Sequence, residues 1–184
     1  LDGVDPEEIR AAFNDIFRAL QRGKALEPFA FHDGAFLLAL DGTGYFSSLK
    51  VHCPACLEKV NSQTGVTTYH HQLLGAAIVH PDFREVIPLA PEPIIKQDGN
   101  SKNDCERNAC RRLLEKIRRE HRHLKLIVIE DALASNAPHI EELIRQRMSF
   151  ILGAKPGDHA FLFEKWIEAH DQGEVTTVSW ELPG

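Results

Sequence analysis

Two aspartates each follow a segment that is typical of a buried strand. Asp41 comes after the apolar run Ala35–Leu40, and Asp131 comes after the predicted strand Leu124–Glu130. A charged carboxylate at the end of a buried strand is costly unless a partner offsets its charge. If the two strands lie side by side, their carboxylates form an oxygen-rich site that suits Mg²⁺ or Mn²⁺ and promotes phosphoryl transfer. Aspartates that only cap turns would give the same pattern.

A second group of donors lies in a segment rich in cysteine and histidine. Cys53 and Cys56 form a CxxC pair directly after His52, and His70 and His71 follow further along the chain. Thiolate and imidazole donors at this spacing fit tetrahedral Zn²⁺ in a closed, structural site. We therefore take these five side chains as candidate zinc ligands. The alternative is a reduced pair of loop cysteines, with the two histidines lying on a sheet or against DNA.

Basic residues are concentrated in one predicted helix. The segment from Lys102 to Lys125 holds nine lysines and arginines against four acids, in a chain whose net charge is -6. Such a face could contact DNA phosphates, or it could simply be solvated. The candidate DNA-binding residues are Lys102, Arg111, Arg112, Arg118, Arg119 and, after a later strand, Lys155.

Two further acids lie next to these positions. Glu106 falls in the first turn of the basic helix, where it either interacts with the helix dipole or orients the metal site. Glu130 precedes Asp131 and is expected to point to the opposite face of the sheet, in a structural role. The other cysteine pair, Cys105 and Cys110, is expected to be inert.

Composition restricts the class of protein. The chain has 184 residues, of which 43% are hydrophobic and 26% charged, which is typical of one globular domain. No apolar run approaches the roughly 18 residues that cross a bilayer, and no secretion signal is expected. The four cysteines are therefore expected to be reduced thiols.

The periodicity predicts an α/β fold. A helix is expected over residues 6–22, with Asp5 as its cap and its apolar face at Ile9, Ala12, Phe13, Ile16, Phe17 and Leu20. Strands are expected over 35–40, 67–79, 84–89, 124–130, 149–154 and 174–181. Further helices are expected from Asn103 or Asp104 to about His123, from Asn136 with Ile140, Leu143 and Ile144 inward, and from Asp158. Prolines 88, 91 and 93 are expected to end the third strand, and residues 52–66 to form an excursion.

This order of elements predicts one mixed sheet with helices on both sides. Three antiparallel strands come first, and β-α-β-α units follow. Residues 1–34 form an N-terminal helical segment, and residues 35–184 form the core, with the Cys/His excursion at 52–71.

Several sequence blocks, in this order, resemble bacterial insertion-sequence transposases of the DDE class. The resemblance extends over roughly residues 36–166. The blocks are Leu40-Asp41-Gly42-Thr43-Gly44-Tyr45-Phe46-Ser47-Ser48, Tyr69-His70-His71-Gln72, Gly75-Ala76-Ala77-Ile78-Val79-His80-Pro81-Asp82, Val86-Ile87-Pro88-Leu89-Ala90-Pro91-Glu92, Gln97-Asp98-Gly99-Asn100, Lys102-Asn103-Asp104-Cys105-Glu106, and Glu130-Asp131 with Ala134-Ser135-Asn136. The segment His52-Cys53-Pro54-Ala55-Cys56 also belongs to the resemblance. Ala132 departs from it, because the family usually has glycine there.

The resemblance implies an RNase H-like catalytic core in which Asp41 and Asp131 bind Mg²⁺ or Mn²⁺. It implies cleavage of phosphodiester bonds at transposon ends and strand transfer into target DNA. It also implies a homo-oligomer in a synaptic complex, and a bacterial cytoplasmic protein associated with the nucleoid. The family's third acid, a glutamate on a late helix, is not found and is expected beyond Gly184, which makes the chain a truncated core. The alternatives are a nuclease of the same fold without strand transfer, and an inactive fragment that only binds DNA or self-associates.

Overall fold

The computed structural model describes residues 6–96 and 105–179 as an α/β fold with six strands and four α-helices. The elements in chain order are α1 (Pro6–Arg22), β1 (Phe36–Ser48), β2 (Leu57–Val60), β3 (Thr67–Val79), β4 (Ile87–Ile94), α2 (Glu106–Glu120), β5 (Leu126–Glu130), α3 (Ala137–Arg145), β6 (Ser149–Leu152) and α4 (Ala160–Asp171). No helix of the described segments is long and apolar enough to cross a bilayer.

The six strands form one mixed sheet flanked by helices, as predicted. The order is β2-β3-β1-β5-β6, and β4 also pairs with β3. The strand β3 pairs antiparallel with both β1 and β4, whereas β1, β5 and β6 are parallel. The expected antiparallel meander followed by two parallel strands is therefore present.

The first strand is longer than its apolar run. Asp41 was expected where this strand ends, but β1 continues to Ser48. The pairing with β5 has its last partners at Ala39 and Ile129, whereas the pairing with β3 continues to Ser48, the last residue of β1. Cross-strand hydrogen bonds to β3 therefore extend β1 through a polar, glycine-containing segment.

Two strands at the edge of the sheet differ from the prediction. The expected excursion at 52–66 contains the short strand β2, which pairs with residues 67–70 of β3. The strand β4 runs through the prolines at 88, 91 and 93 instead of ending there. Proline is tolerated in a strand whose outer side lacks a partner, and among the described strands β4 pairs only with β3.

The helices lie close to their expected positions, and one of the expected caps is confirmed. The structure confirms α1, whose expected cap Asp5 lies outside the described residues. The helix α2 begins after Cys105 and ends at Glu120, earlier than His123; Asn103 and Asp104 are not among the described residues. Asn136 caps α3 as predicted, whereas His159, not Asp158, precedes α4.

Two predicted apolar faces are only partly correct. On α1 the side chain of Phe17 is buried, but Ile9 and Ile16 are exposed. On α3 Leu143 is buried, whereas Ile144 is exposed. The expected last strand is also absent over the described residues 174–179. Its alternating pattern has no neighbouring strand with which to pair.

The main core lies between the sheet and α2. Leu38 and Val128 come from β1 and β5, and Leu113, Leu114 and Ile117 come from the predicted buried stripe of α2. All five side chains are fully buried. Burying an aliphatic side chain of this size contributes about 1.5–3 kcal/mol, so this packing fixes α2 against the sheet and fixes the position of its first turn.

A buried ion network joins α1, β4 and α2. Glu92 is 3% exposed, and its carboxylate binds Arg10, Arg112 and Lys116. Arg10 is also buried, which explains why the face of α1 that meets the sheet is not the most apolar one. A buried carboxylate with three cationic partners is the arrangement in which losing one member is most costly.

Candidate active site

The parallel pairing of β1 and β5 brings Asp41 and Asp131 to the same edge of the sheet. Ala39 pairs with Ile129, and each aspartate lies two residues further along its strand direction. The strands therefore lie side by side, as predicted. Asp131 also caps the turn that follows, since its Oδ1 accepts a hydrogen bond of 2.9 Å from the amide of Leu133.

A third carboxylate faces this pair. Glu106 lies in the first turn of α2, where a negative charge interacts favourably with the helix dipole. A Cβ added to Gly42 would lie 2.8 Å from Oε2 of Glu106, so the glutamate approaches β1 directly beside Asp41. Burial and the negative charges of Asp41 and Asp131 raise the pKa of the Glu106 carboxyl. The three acids therefore interact electrostatically.

The acids line one cleft of about 580 Å³. Arg107, Asn136 and His139 also line it. Glu130 was expected on the opposite face of the sheet, but it lines this cleft as well. The carboxylate of Glu130 pairs with His139 Nε2 at 2.5 Å.

Cys110 lies beside this pair as a protonated thiol. Its Sγ donates to Oε1 of Glu130 at 3.6 Å. Burial, together with the charge of Glu130, raises the pKa of Cys110 well above its ordinary value. The thiol therefore serves as a hydrogen-bond donor to the carboxylate of Glu130. Cys110, Glu130 and His139 also form one of two groups of possible metal donors in the described part of the chain.

The donor chemistry of the acidic cleft fits a hard divalent cation. Asp41, Glu106 and Asp131 offer only carboxylate oxygens, which suit Mg²⁺ or Mn²⁺. In the structure their oxygens do not all lie within 4.8 Å of one another, unlike the donors of the two compact groups found among the described residues. The three acids therefore suit such a cation by the type of their ligand atoms and by their concentrated negative charge.

A separate group of donors could hold a metal ion such as zinc. Cys53 Sγ lies 3.6 Å from Cys56 Sγ, and both sulfurs lie 3.2–3.3 Å from Nε2 of His71. Of the five candidates, the structure brings these three together. His52 instead stacks on Tyr69, and His70 lines a separate polar groove.

The candidate DNA-binding residues divide into two sets. Arg112 binds Glu92, and Arg118 donates to the carbonyls of Gln146 and Leu124. These two guanidinium groups therefore hold the fold together. Arg111, Arg119 and Lys155 are exposed, and Lys102 lies outside the described residues.

Several residues of the cleft carried no strong signal in the sequence. Glu106 could be interpreted from its helix position alone, and Asn136 was visible only as a helix cap. Arg107 was one of many basic residues, and nothing in the sequence placed His139 near Glu130. Only the packing of α2 and α3 against the sheet brings these residues to Asp41 and Asp131.

Replacing Gly42 with alanine should push Glu106 away from the cleft. The new Cβ would meet the Glu106 carboxylate at 2.8 Å, and that flexible side chain would move. We expect Mn²⁺ affinity, measured by calorimetry, to fall by about tenfold, the lower end of the effect of losing a group that supports a metal site. Gly44→Ala is the matched control, because its nearest neighbour would be 3.8 Å away. Equal affinities in the two variants would exclude Glu106 from the site.

Comparisons with protein-family models, with curated proteins and with solved structures found no match.

Proposed function

We propose that the chain is the catalytic core of a DDE-class transposase that cleaves and joins DNA with Mg²⁺ or Mn²⁺. The observation that carries the proposal is the convergence of Asp41, Glu106 and Asp131 on one cleft. In an open α/β sheet, ligands bind outside the carboxyl ends of the strands. Asp41 and Asp131 each lie two residues beyond the last pair of the parallel strands β1 and β5, at the carboxyl end of that pairing.

The strand order supports an RNase H-like core. The antiparallel strands β4, β3 and β1 lie in that order, and the parallel strands β5 and β6 extend the sheet on the other side of β1. This is the arrangement that the sequence resemblance implies. The same resemblance includes the blocks around all three acids of the cleft, in chain order.

The chain's own residues would bind the ion and orient the DNA. Asp41 and Asp131 would hold the cation, and Glu106 would add a third carboxylate. When bound, the cation supplies positive charge to the transition state of phosphoryl transfer and lowers the pKa of water. Arg107 lines the same cleft, and its guanidinium group can donate two hydrogen bonds to one phosphate.

In the proposed reaction, water attacks a phosphodiester at the end of the element. The P–O bond to the leaving 3′-oxygen breaks, leaving a 5′-phosphate and a free 3′-hydroxyl. That hydroxyl then attacks a phosphodiester of target DNA, and one new P–O bond replaces the one that breaks. Arg111, Arg119 and Lys155 are the exposed cations that we assign to the DNA, and a second copy of the chain would bring the two DNA ends together in the bacterial cytoplasm.

A nuclease of the same fold is the second candidate. The same three carboxylates of the cleft would serve it, and hydrolysis requires no joining step. The two functions differ in one product, since only a transposase links a free 3′-hydroxyl to a second DNA.

The test uses supercoiled plasmid, Mn²⁺ and a labelled oligonucleotide with a free 3′-hydroxyl. A transposase core should nick the plasmid and join the label to it, and Asp131→Asn should lose both products. Asp33→Asn, in the exposed turn before β1, is the matched control and should keep both. Nicking without joining would support the nuclease. Neither product from a folded protein that binds Mn²⁺ would overturn both candidates and leave the inactive DNA-binding fragment.

We also propose that the group Cys53, Cys56 and His71 binds Zn²⁺ in a structural role. Two thiolates and one imidazole favour zinc over the hard cations of the acidic cleft. Cys56 is buried, and the group lies where the loop after β1 meets β3. An ion there would hold this loop against the sheet.

A further inference from the structure

Three protein donors leave one position of a tetrahedral zinc ion to fill. Bond lengths to zinc place two sulfurs about 3.8 Å apart and a sulfur and a nitrogen about 3.6 Å apart. The corresponding distances in the structure are 3.6 Å and 3.2–3.3 Å. The group is therefore already close to the geometry of three ligands of one ion.

His52 lies on the same face of the sheet as this group. Its ring stacks on Tyr69 with centroids 4.3 Å apart. Tyr69 and His71 are two residues apart in β3, so both side chains point to one face. His52 also precedes Cys53 directly in the chain. Its Nδ1 lies 3.3 Å from the carbonyl oxygen of Lys50. The imidazole is thus held one side chain away from the ligand His71.

The other nearby side chains are less suitable. His70 follows the alternation of β3 to the opposite face, where it lines a groove with Lys59 and Gln72. Tyr45 stacks on the ring of His71, but a neutral phenol is not among the usual ligands of zinc. Glu58 is paired with Lys96. Histidine is the favoured donor among these neighbours.

We propose that His52 is the fourth ligand of this zinc ion, exchanging its contact with Tyr69 for the metal. The inference rests on the proposed ion at Cys53, Cys56 and His71. His52 is exposed, so rotation of its side chain displaces no buried group. Two cysteines and two histidines close the coordination shell, and a closed shell is typical of structural zinc. The ion then joins the loop at 52–56 to β3 and makes the outer part of the sheet rigid.

X-ray absorption at the zinc edge tests the ligand set directly. The protein is purified without chelators, its zinc content is measured, and the spectrum is compared between the wild type, His52→Ala and His70→Ala. We expect two sulfurs and two imidazoles in the wild type and in His70→Ala. His52→Ala should show one imidazole and one oxygen, and zinc affinity lower by at least about tenfold.

The outcomes separate the two proposals. A wild-type protein without zinc would overturn the proposed zinc ion itself. A wild-type spectrum with two sulfurs, one imidazole and one oxygen, unchanged in His52→Ala, would keep the ion and overturn the role of His52. Loss of one imidazole in His70→Ala, with His52→Ala unchanged, would transfer that role to His70. Thermal denaturation of each variant shows whether it is folded.

Discussion

Replacing Asp41 with asparagine should reduce Mn²⁺-dependent cleavage of DNA by at least about hundredfold. A bound cation contributes several kcal/mol to stabilising the charge of a phosphoryl-transfer transition state, and each 1.4 kcal/mol is a factor of ten in rate. Asparagine keeps the shape of the side chain but removes its negative charge. Because Asp41 is exposed, the fold should be unaffected.

The same loss is expected for Asp131→Asn. The amide oxygen of asparagine can still accept the hydrogen bond from Leu133, so the turn after β5 keeps its cap. Calorimetry with Mn²⁺ should show weaker binding in both variants and unchanged binding in Asp33→Asn. A variant at Asp41 or Asp131 that cleaves DNA at the wild-type rate would remove that residue from the site.

Replacing Glu92 with glutamine should destabilise the fold by about 3–5 kcal/mol, the usual cost of removing one partner from a buried ion pair. The buried carboxylate binds Arg10, Arg112 and Lys116. Glutamine fills the same space but leaves these cations without their central charge. Arg10 is buried, and the ion pairs that it would keep, from Nε to Glu7 at 3.3 Å and from Nη1 to Glu120 at 3.5 Å, are long.

Urea denaturation measures this loss as a change in the free energy of unfolding. Glu168→Gln provides the control, because the pair between Lys165 and Glu168 is exposed on α4. An exposed pair is worth at most about 1 kcal/mol. Similar free energies for the two variants would show that the buried network does not hold α1 and α2 to the sheet.

The sequence correctly predicted the elements that are determined by the residues within them or directly beside them. The apolar run before Asp41 predicted the start of β1, and the bounds of β3 were predicted as the structure has them. Asn136, with Pro138 two residues later, predicted the start of α3. In each case the signal is local, because burial or capping depends on neighbouring residues in the chain.

Other elements depend on partners that are distant in sequence. The polar half of β1 is a strand because β3 supplies its hydrogen bonds, and β2 exists because residues 67–70 pair with it. The alternating pattern at 174–179 has no such partner and is not a strand. Periodicity on α1 favoured Ile9 and Ile16, but the contact of Arg10 with Glu92 fixes a different face.

The candidate site likewise has some residues that local sequence predicts and others that depend on residues distant in the chain. The two aspartates could be predicted from their position after apolar strands, and the adjacency of β1 and β5 agrees with that prediction. The place of Glu106 could not be predicted, because it depends on how α2 packs against the sheet. For the zinc ligands, the spacing indicated five candidates, and only the register of β3 separates His71 from His70.

Crystals soaked in Mn²⁺ would test the central claim most directly, because anomalous scattering locates the ion itself. We expect a peak in the cleft within about 2.2 Å of carboxylate oxygens of both Asp41 and Asp131, close to the usual length of a bond between such an ion and oxygen. A peak that contacts only one of them, or an empty cleft in crystals that hold Mn²⁺ elsewhere, would contradict the account.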